Sequence, residues 1–167
     1  MASITDFAAK FKGGVRSNLF KINITCPGIS FVDLDFLATA SSLPEQTLGK
    51  IEVPFRGRKL QVPGDRTFED WTVSIINDVE FSARTALEAW QRDIQELDSG
   101  EGLTSLDYLL DRAFVEQLNK DDTVLARYEF FNMFPKNIGE ITLGYDTVDA
   151  VEEFTVDLTF SHWERVL

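Results

Sequence analysis

The fold class is decided by a stretch near the C-terminus, residues 152–163, which reads EEFTVDLTFSHW. Large apolar side chains recur there at every second position, at Phe154, Val156, Leu158 and Phe160. The positions between them carry acidic or hydroxyl side chains. Because successive side chains of a strand point to opposite faces, this period of two predicts a strand with one buried and one polar face.

The same alternation recurs in several other parts of the chain. It is present in residues 19–26, 71–75 and 124–134, and residues 138–145 are a further candidate. The run 124–134 follows residues 113–118 after Asn-Lys-Asp-Asp, a turn-forming cluster that predicts a hairpin. The chain is therefore expected to be rich in antiparallel strands.

One segment has helical spacing instead. Its apolar side chains recur every three or four residues, at Ala83, Ala86, Leu87, Trp90, Ile94 and Leu97. Asn77 and Glu80 have the spacing of a capping box, and Ser99-Gly100 ends the pattern. We predict one helix over about residues 78–97 and a mainly β, α+β domain in which this helix packs on a sheet or its edge.

Length and composition narrow the class of function. The 167 residues suffice for one domain, with Gly13-Gly14 as the only candidate linker. We divide the chain into an N-terminal arm, residues 1–15, and a single domain, residues 16–167. A net charge of -12 argues against groove-bound nucleic acid and against an anionic membrane surface. No apolar run is long enough for a signal peptide or a membrane span, which predicts a soluble protein without membrane insertion.

The charge is unevenly distributed. Residues 101–167 carry 14 acidic and 5 basic side chains, whereas residues 50–66 carry five basic side chains and only two acidic ones. The basic side chains of that segment are Lys50, Arg56, Arg58, Lys59 and Arg66. A basic segment on an acidic chain favours attraction between copies, although charge patches are also common on monomers.

No arrangement of residues indicates catalysis or a cofactor. Glu152 and Glu153 are adjacent on a predicted strand and point to opposite faces, so they cannot flank one substrate bond. A lone His162 at a strand end is typical of a structural residue. Cys26 lies on an apolar face, where a cysteine is normally inert. With one cysteine and one histidine, the chain offers neither a disulfide nor an ordinary zinc site, and we expect no enzyme.

Two aromatic residues leave two interpretations open. Phe55 and Phe68 lie in or beside the basic segment, away from the predicted core strands. Large apolar side chains beside arginines suit the centre of an interface. They would equally serve to anchor a long loop.

Taken together, these motifs resemble the tail tube subunit of contractile-tailed bacteriophages. The resemblance runs through nearly the whole chain in the family's order. It is carried by Arg16–Phe20, Ala40–Pro44, Ile51–Arg58, Pro63–Phe68, Trp71–Val73, Ile76–Asp78, Arg84 with Glu88 and Trp90, Phe134-Pro135, and Glu152 through Trp163. Each motif alone is weak, and the set is specific.

The resemblance implies a two-sheet β-sandwich or barrel-like fold with one flanking helix and a long protruding loop at about residues 45–66. In that family, six copies form a ring, and rings stack into a hollow tube inside a contractile sheath. Sheath, baseplate and tape-measure proteins are the implied partners, and DNA passes through the lumen without specific binding. The protein would be a structural component of the virion tail, assembled in the host cytoplasm. It would perform no enzymatic step.

Two surfaces are candidates for assembly. By resemblance, residues 45–66 would stack one ring on the next, and we predict an interface of Phe55, Arg56, Arg58, Lys59, Arg66 and Phe68. Arg56, Arg58 and Arg66 would meet acidic residues of the next ring. Glu153 and Asp157, on the polar face of the C-terminal strand, are candidates to face the lumen, where carboxylates would repel phosphates. They could as well be merely solvated.

Two other functions remain open. Related tubes occur in type VI secretion and in extracellular contractile injection systems, and such a tube carries protein. An acidic monomeric β-barrel that carries a small apolar ligand would explain the aromatic residues but not the basic segment, and it needs an internal cavity.

Overall fold

The computed structural model describes residues 3–25, 37–102, 106, 108–110, 112–146 and 148–167. Cys26 lies outside these residues. The described part of the chain is mainly β, as predicted, with two helices and ten strands. The helices are α1 (Ile4–Phe11) and α2 (Ser82–Ile94); the strands are β1 (Phe20–Asn23), β2 (Ala38–Ser41), β3 (Gln46–Phe55), β4 (Arg58–Phe68), β5 (Trp71–Ile76), β6 (Ala113–Leu118), β7 (Val124–Phe131), β8 (Phe134–Ile138), β9 (Glu153–Thr159) and β10 (His162–Arg165).

Eight strands form two antiparallel sheets. Sheet 1 has the order β1-β6-β7-β10, and sheet 2 has the order β2-β5-β9-β8. The remaining two strands, β3 and β4, pair only with each other in the described chain. In the described part of the chain these two sheets do not close into a barrel, so the structure supports the sandwich over the barrel-like fold.

The core lies between the two sheets. Its centre is a stack of Trp71 from sheet 2 on Phe130 from sheet 1, with ring centroids 4.3 Å apart. Phe160 meets Phe130 edge-on at 4.9 Å. The apolar face predicted for residues 152–163 points into this core, and its members Phe154, Val156, Leu158 and Phe160 are all buried.

Helix α2 covers one side of this core. Its predicted stripe is confirmed at Ala83, Ala86, Leu87 and Trp90, which are buried. The predicted start is wrong: the helix begins at Ser82 after Phe81, whose φ of 55° is left-handed. The carboxylate of Asp78 accepts hydrogen bonds from the Ser82 backbone N–H and hydroxyl, and so performs the capping assigned to Asn77 and Glu80. The helix ends at Ile94, three residues earlier than predicted.

Other boundaries also differ from the predictions. The run 124–134 is two strands, separated at Asn132, whose φ is 53°. Pro135 lies within β8, an edge strand, where a missing N–H costs no ladder bond. Beyond Ile138, the candidate strand 138–145 is irregular. The N-terminal arm forms helix α1, which Ser3 and Asp6 begin with a reciprocal capping box.

Candidate functional site: the assembly surfaces

The segment predicted as a protruding loop is a two-stranded antiparallel ribbon, which we call the β3–β4 ribbon (Gln46–Phe68). Its strands are joined by only two residues, Arg56 with φ 47° and Gly57 with φ 82°. Positive φ at both positions is the signature of a type I′ turn, whose twist matches that of the flanking strands. The ribbon is thus an ordered hairpin.

A bulge lies about halfway along the ribbon. The register shifts between Leu48 and Lys50, where Gly49 and Gly64 face each other. A Cβ on Gly64 would approach the Gly49 backbone to 3.1 Å, and a Cβ on Gly49 would approach Asp65 equally closely. Glycine at both positions therefore allows the two backbones to pass at the bulge.

One face of the ribbon is apolar and open. Ile51 pairs with Val62 and Val53 with Leu60, and directly opposed residues project to the same face. Phe55 continues this face to the tip, where its side chain is 67% exposed. Apolar residues aligned on an exposed hairpin are a contiguous patch of the kind that marks a binding surface.

The other face of the ribbon is polar and internally satisfied. Glu52 accepts a hydrogen bond from the Lys59 ammonium at 2.6 Å and one from Gln61, and Lys50 lies 3.4 Å away. These donors, Lys59 first, lower the pKa of the Glu52 carboxyl. Lys59, one of the predicted interface residues, therefore already has a partner in its own chain.

The arginines of the ribbon lack such partners. The Arg56 guanidinium lies 5.4 Å from the centroid of the Phe55 ring, a cation–π arrangement. Arg58 is opposite Phe55, and Arg66 is opposite Leu48 nearer the base. Among the described residues, none of these three arginines forms an ion pair. The structure brings Phe55, Arg56 and Arg58 together at the tip and leaves Arg66 apart from them.

Phe68 has a different environment from Phe55. It is half-buried at the base of the ribbon, packs against the core, and its ring centroid is 5.9 Å from that of Phe160. Of the two interpretations of these phenylalanines, anchoring describes Phe68, and an open apolar surface describes Phe55.

The two predicted lumen carboxylates lie on the outer face of sheet 2. Asp157 accepts hydrogen bonds from the hydroxyl of Thr72 at 2.6 Å and from the amide of Asn137. Glu153, exposed at the start of β9, accepts one from the hydroxyl of Thr39. Both carboxylates are held in place by neighbouring strands.

The only lysine or arginine on the described strands of sheet 2 is neutralised. Lys136 pairs with Asp70 at 2.6 Å, and Asp70 also accepts a hydrogen bond from Thr159. The ammonium lowers the pKa of the Asp70 carboxyl, and the carboxylate raises the pKa of Lys136. The outer face of sheet 2 therefore presents short hydroxyl side chains and anionic groups.

The outer face of sheet 1 has a contrasting surface. Arg127 lies between the carboxylates of Glu116 and Glu129, at 3.4 and 3.3 Å, and covers the ring of Phe114 at 3.9 Å. His162 stacks on Phe131 at 4.6 Å. This packing agrees with the structural role predicted for His162.

A family model for the phage tail tube protein matches residues 5–166. The chain belongs to the phage tail tube protein family. The family predicted from the sequence is confirmed, and with it a structural, tube-forming role in contractile tails.

Curated relatives and solved structures agree with this membership. The tail tube protein gp19 of Enterobacteria phage T4 is 34% identical over 96% of this chain and 99% of its own length. A chain in the cryo-EM structure of the anti-feeding prophage baseplate has a TM-score of 0.67 at 14% identity, covering 90% of this chain and 94% of that one. A chain in the sheath–tube complex of the extracellular contractile injection system PVC has a TM-score of 0.63 at 16% identity, covering 99% and 98%. These solved structures share the fold of this tail tube family member.

Two surfaces of this family member were not predicted from the sequence. The first is α1, whose side chains Ile4, Phe7 and Phe11 are exposed, with the two phenyl rings stacked at 5.3 Å. The capping pattern at Ser3 and Asp6 was the signal that could have revealed this helix. The second is a groove in the connection between β8 and β9.

This groove, the 139–153 groove, has a volume of about 740 Å³. Its walls include Leu143, Tyr145 and Val151, which are all exposed, together with Glu140 and Glu152. Residues 139–153 contain five acidic and no basic side chains, and that composition was the available sequence signal. A second signal was the set of large apolar residues outside any strand.

Neither a metal site nor a membrane-spanning helix is present among the residues described. No group of three or more histidine, cysteine or acidic side chains there could hold a metal ion. None of the helices in that part of the chain is long and apolar enough to cross a bilayer.

Proposed function

We propose that the chain is the subunit of a phage tail tube, in which six-membered rings stack into a hollow conduit for the genome within a contractile sheath. The observation that carries the proposal is the β3–β4 ribbon of this family member, which presents an open apolar face and three arginines that form no ion pair with any described residue. The role is structural and involves no catalysis. Sheath, baseplate and tape-measure proteins are the proposed partners, and assembly takes place in the host cytoplasm before the tube becomes part of the virion tail.

The ribbon is the proposed contact between rings. Its apolar face would remain in water in an isolated subunit, and burial against another copy removes that cost. Arg56 and Arg58 flank Phe55, so a single docking event would desolvate the ring and place both charges against acidic groups. Such a cluster, an aromatic residue surrounded by arginines, is the composition of an energetic hot spot.

Substitution of Arg56 by glutamate tests this role. The Arg56→Glu subunit is expected to remain folded because the side chain is exposed, yet tube growth should be abolished. Loss of a desolvated charge contact of this kind costs roughly 2–5 kcal/mol. Negative-stain electron microscopy across protein concentration counts tubes, and circular dichroism follows folding.

The matched control is Arg92→Glu, the same charge change at an exposed position of α2. Arg92→Glu should leave tube growth unchanged. Normal tubes from Arg56→Glu would refute the stacking role of the ribbon tip.

We also propose that the outer face of sheet 2 lines the lumen. Support comes from the carboxylates of Glu153 and Asp157, from the hydroxyl side chains around them, and from the neutralisation of Lys136 by Asp70. DNA binds proteins mainly through cations that neutralise phosphates and release counterions. The described strands of sheet 2 carry no unpaired lysine or arginine, so DNA would slide along this face, and the phage relatives favour DNA over protein as cargo.

The lumen proposal is tested by Asp157→Lys, whose position lies outside the 139–153 groove. Tubes should still form, and genome ejection from particles that carry the variant should slow, most strongly at low salt. Glu164→Lys, at an exposed position on the outer face of sheet 1, is the control of equal charge. If the lysine at 157 left ejection kinetics unaltered at every salt concentration, sheet 2 would not be the lumen wall.

A further inference from the structure

We infer that the 139–153 groove of one copy is the acceptor for the β3–β4 ribbon tip of the next copy. This inference rests on the proposed stacking role of the ribbon and names the surface that it meets. Three independent observations lead to it: the positions of the two surfaces in the fold, their charges, and their apolar content.

The two surfaces lie at opposite ends of the same strand pair. In sheet 2, β5 and β9 are paired from Trp71 with Leu158 to Ile76 with Glu153. The ribbon leaves the sheet at the Trp71 end, since Phe68 precedes Trp71 by three residues. The groove is at the other end, since Glu152 directly precedes Glu153. About five residue steps, or roughly 17 Å, separate the two ends along the strands.

Such a placement generates an open assembly. When complementary surfaces lie at opposite ends of a subunit, each copy binds the next head to tail, and the series does not terminate. If instead the ribbon of one copy bound the ribbon of another, each contact would join only two copies and the assembly would stop there. Stacking without a built-in limit is what growth of a tube requires.

The charges of the two surfaces are complementary. Arg56 and Arg58 at the ribbon tip have no anionic partner among the described residues of their own chain. Residues 139–153 carry five acidic side chains and no basic one. The basic residue at the groove margin, Arg84, donates to the carbonyl of Gly139 but is paired with Glu88 at 2.8 Å. Three of the five acidic residues, Glu140, Glu152 and Glu153, lie on the groove walls, and no lysine or arginine is among the wall residues. The groove therefore presents negative charge to a partner.

The apolar contents also match. Phe55 is an exposed ring between two arginines, and Leu143, Tyr145 and Val151 in the groove are exposed apolar side chains with carboxylates beside them. The volume of about 740 Å³ is that of a site that takes several side chains together. Insertion of the tip would cover both sets of apolar surface at once.

A charge swap within one chain tests the inference. The ribbon variant is Arg56→Glu with Arg58→Glu. The groove variant is Glu140→Lys, on the groove wall, with Asp146→Lys, directly after the wall residue Tyr145. Glu140 and Asp146 are exposed, so their substitution spares the core. Each variant alone opposes like charges. The ribbon variant should abolish tube growth, as is expected for Arg56→Glu, and the groove variant should raise the concentration needed for sedimentable tubes by at least about tenfold. The chain that carries all four substitutions pairs opposite charges again and should form tubes at close to the wild-type concentration.

The control keeps the same net charge without touching the groove. It combines the ribbon variant with Asp98→Lys and Glu101→Lys, two exposed positions after α2. This chain should stay as defective as the ribbon variant. Circular dichroism and thermal melting are recorded for all variants, so that a folding defect is distinguished from an assembly defect.

The results separate this inference from the proposed function. Two results would show that the ribbon binds a surface other than the groove: a defective ribbon variant with a groove variant that assembles normally, or a charge-swapped chain that assembles no better than its control. In either case the inference is wrong, and ring stacking by the ribbon stands. If the ribbon variant assembles as the wild type does, or if the wild type remains monomeric at every concentration, both proposals are wrong.

Discussion

The strand pair β5–β9 and the β3–β4 ribbon are built by the same local rules and differ in what covers them. Both are antiparallel, and both alternate apolar with polar side chains. In β5–β9, Val73 pairs with Val156, and both are fully buried beneath sheet 1. In the ribbon, Val53 pairs with Leu60, and the latter is 63% exposed.

This difference in burial distinguishes the apolar side chains that stabilise the folded monomer from those that are available for assembly. An apolar strand face lowers the free energy only when something removes it from water. For β5–β9 the chain itself supplies the cover, so those side chains stabilise the monomer. For the ribbon the described chain supplies none, so its side chains would contribute to stability only in contact with another molecule. Substitutions in β5–β9 should therefore lower the stability of the monomer. Substitutions on the open face of the ribbon should weaken assembly and leave the stability of the monomer almost unchanged.

The largest effect on stability is expected at the core. Trp71→Ala removes the ring that stacks on Phe130 and the N–H that donates to the Ser41 hydroxyl and the Ser42 carbonyl. The loss of a large buried aromatic side chain costs about 3–5 kcal/mol. Urea denaturation of the monomer measures this change. Trp71→Phe should cost less, because it retains a ring in the stack. A Trp71→Ala subunit as stable as the wild type would mean that the sandwich core lies elsewhere.

The next largest effect is expected on assembly. Phe55→Ala should raise the concentration required for tube formation by an amount that corresponds to about 2 kcal/mol or more, as at an interface hot spot. The free energy of unfolding of the monomer should change by less than about 0.5 kcal/mol, as at other exposed positions.

Phe68→Ala sharpens the comparison, because it removes the same ring from the base of the same ribbon. Phe68 packs against Phe160, so this substitution should lower monomer stability more than Phe55→Ala does. Phe68→Ala should thus lower mainly the stability of the monomer, and Phe55→Ala should weaken mainly the assembly of tubes. If both variants behaved alike, the proposed division between anchor and contact would be incorrect.

An intermediate effect is expected at the turn of the ribbon. Gly57→Val places a β-branched side chain at a φ of 82°, which costs about 1–3 kcal/mol of backbone strain. Because no core depends on the turn, only the ribbon should open, and amide exchange should accelerate at Val53 and Leu60. Arg56→Asn, which suits a type I′ turn, should leave exchange unchanged. Equal protection in Gly57→Val would contradict the two-residue turn.

The smallest effect is expected at the ion pair of Asp70 and Lys136. The folded pKa of Asp70 is lowered, so its contribution to stability is present above the unfolded value near pH 4 and is lost as the pH falls through the folded value. The pKa of Lys136 is raised, so its contribution is lost only at strongly alkaline pH. Asp70→Asn should cost less than about 1 kcal/mol, since the pair is partly exposed.

The pH dependence identifies the source of that cost. The difference in unfolding free energy between wild type and Asp70→Asn should be constant from about pH 5 to 8 and should shrink as the pH falls below the unfolded pKa near 4. A difference that is unchanged at acid pH would assign the effect to the hydrogen bond from Thr159 in place of the charge.

Much of the fold could be predicted where the spacing of apolar side chains along a segment results from the burial of one face of that same segment. Phe154, Val156 and Leu158 alternate because their strand has one buried face, and Ala83, Leu87 and Trp90 recur at helical spacing because α2 has one buried stripe. The start of α2 could not be read in the same way. Asn77 has the composition of a cap, but its backbone N–H is bonded to the Glu152 carbonyl of a distant segment.

The residue types of the candidate site could be predicted from the sequence, but most of their arrangement in space could not. Arg56, Arg58 and Phe55 were identified from composition and resemblance, and the structure groups them at one tip. Phe68 was placed with them because it is near in sequence, although the register puts it at the far end of the ribbon beside the core. The acidic groove was missed because its members matter only together, in a segment without regular periodicity.

Periodicity, charge and family motifs were sufficient to establish strands, a helix, a basic segment on an acidic chain, and membership of the tail tube family. They suffice because such features depend on neighbours a few residues apart. The sequence does not determine which apolar faces meet, which remain open, or that the ribbon and the groove occupy opposite ends of β5–β9. These features depend on pairings between residues about 80 positions apart, such as Trp71 with Leu158. Contacts of that range are set by how the whole chain packs, because no local pattern records the partner of a strand.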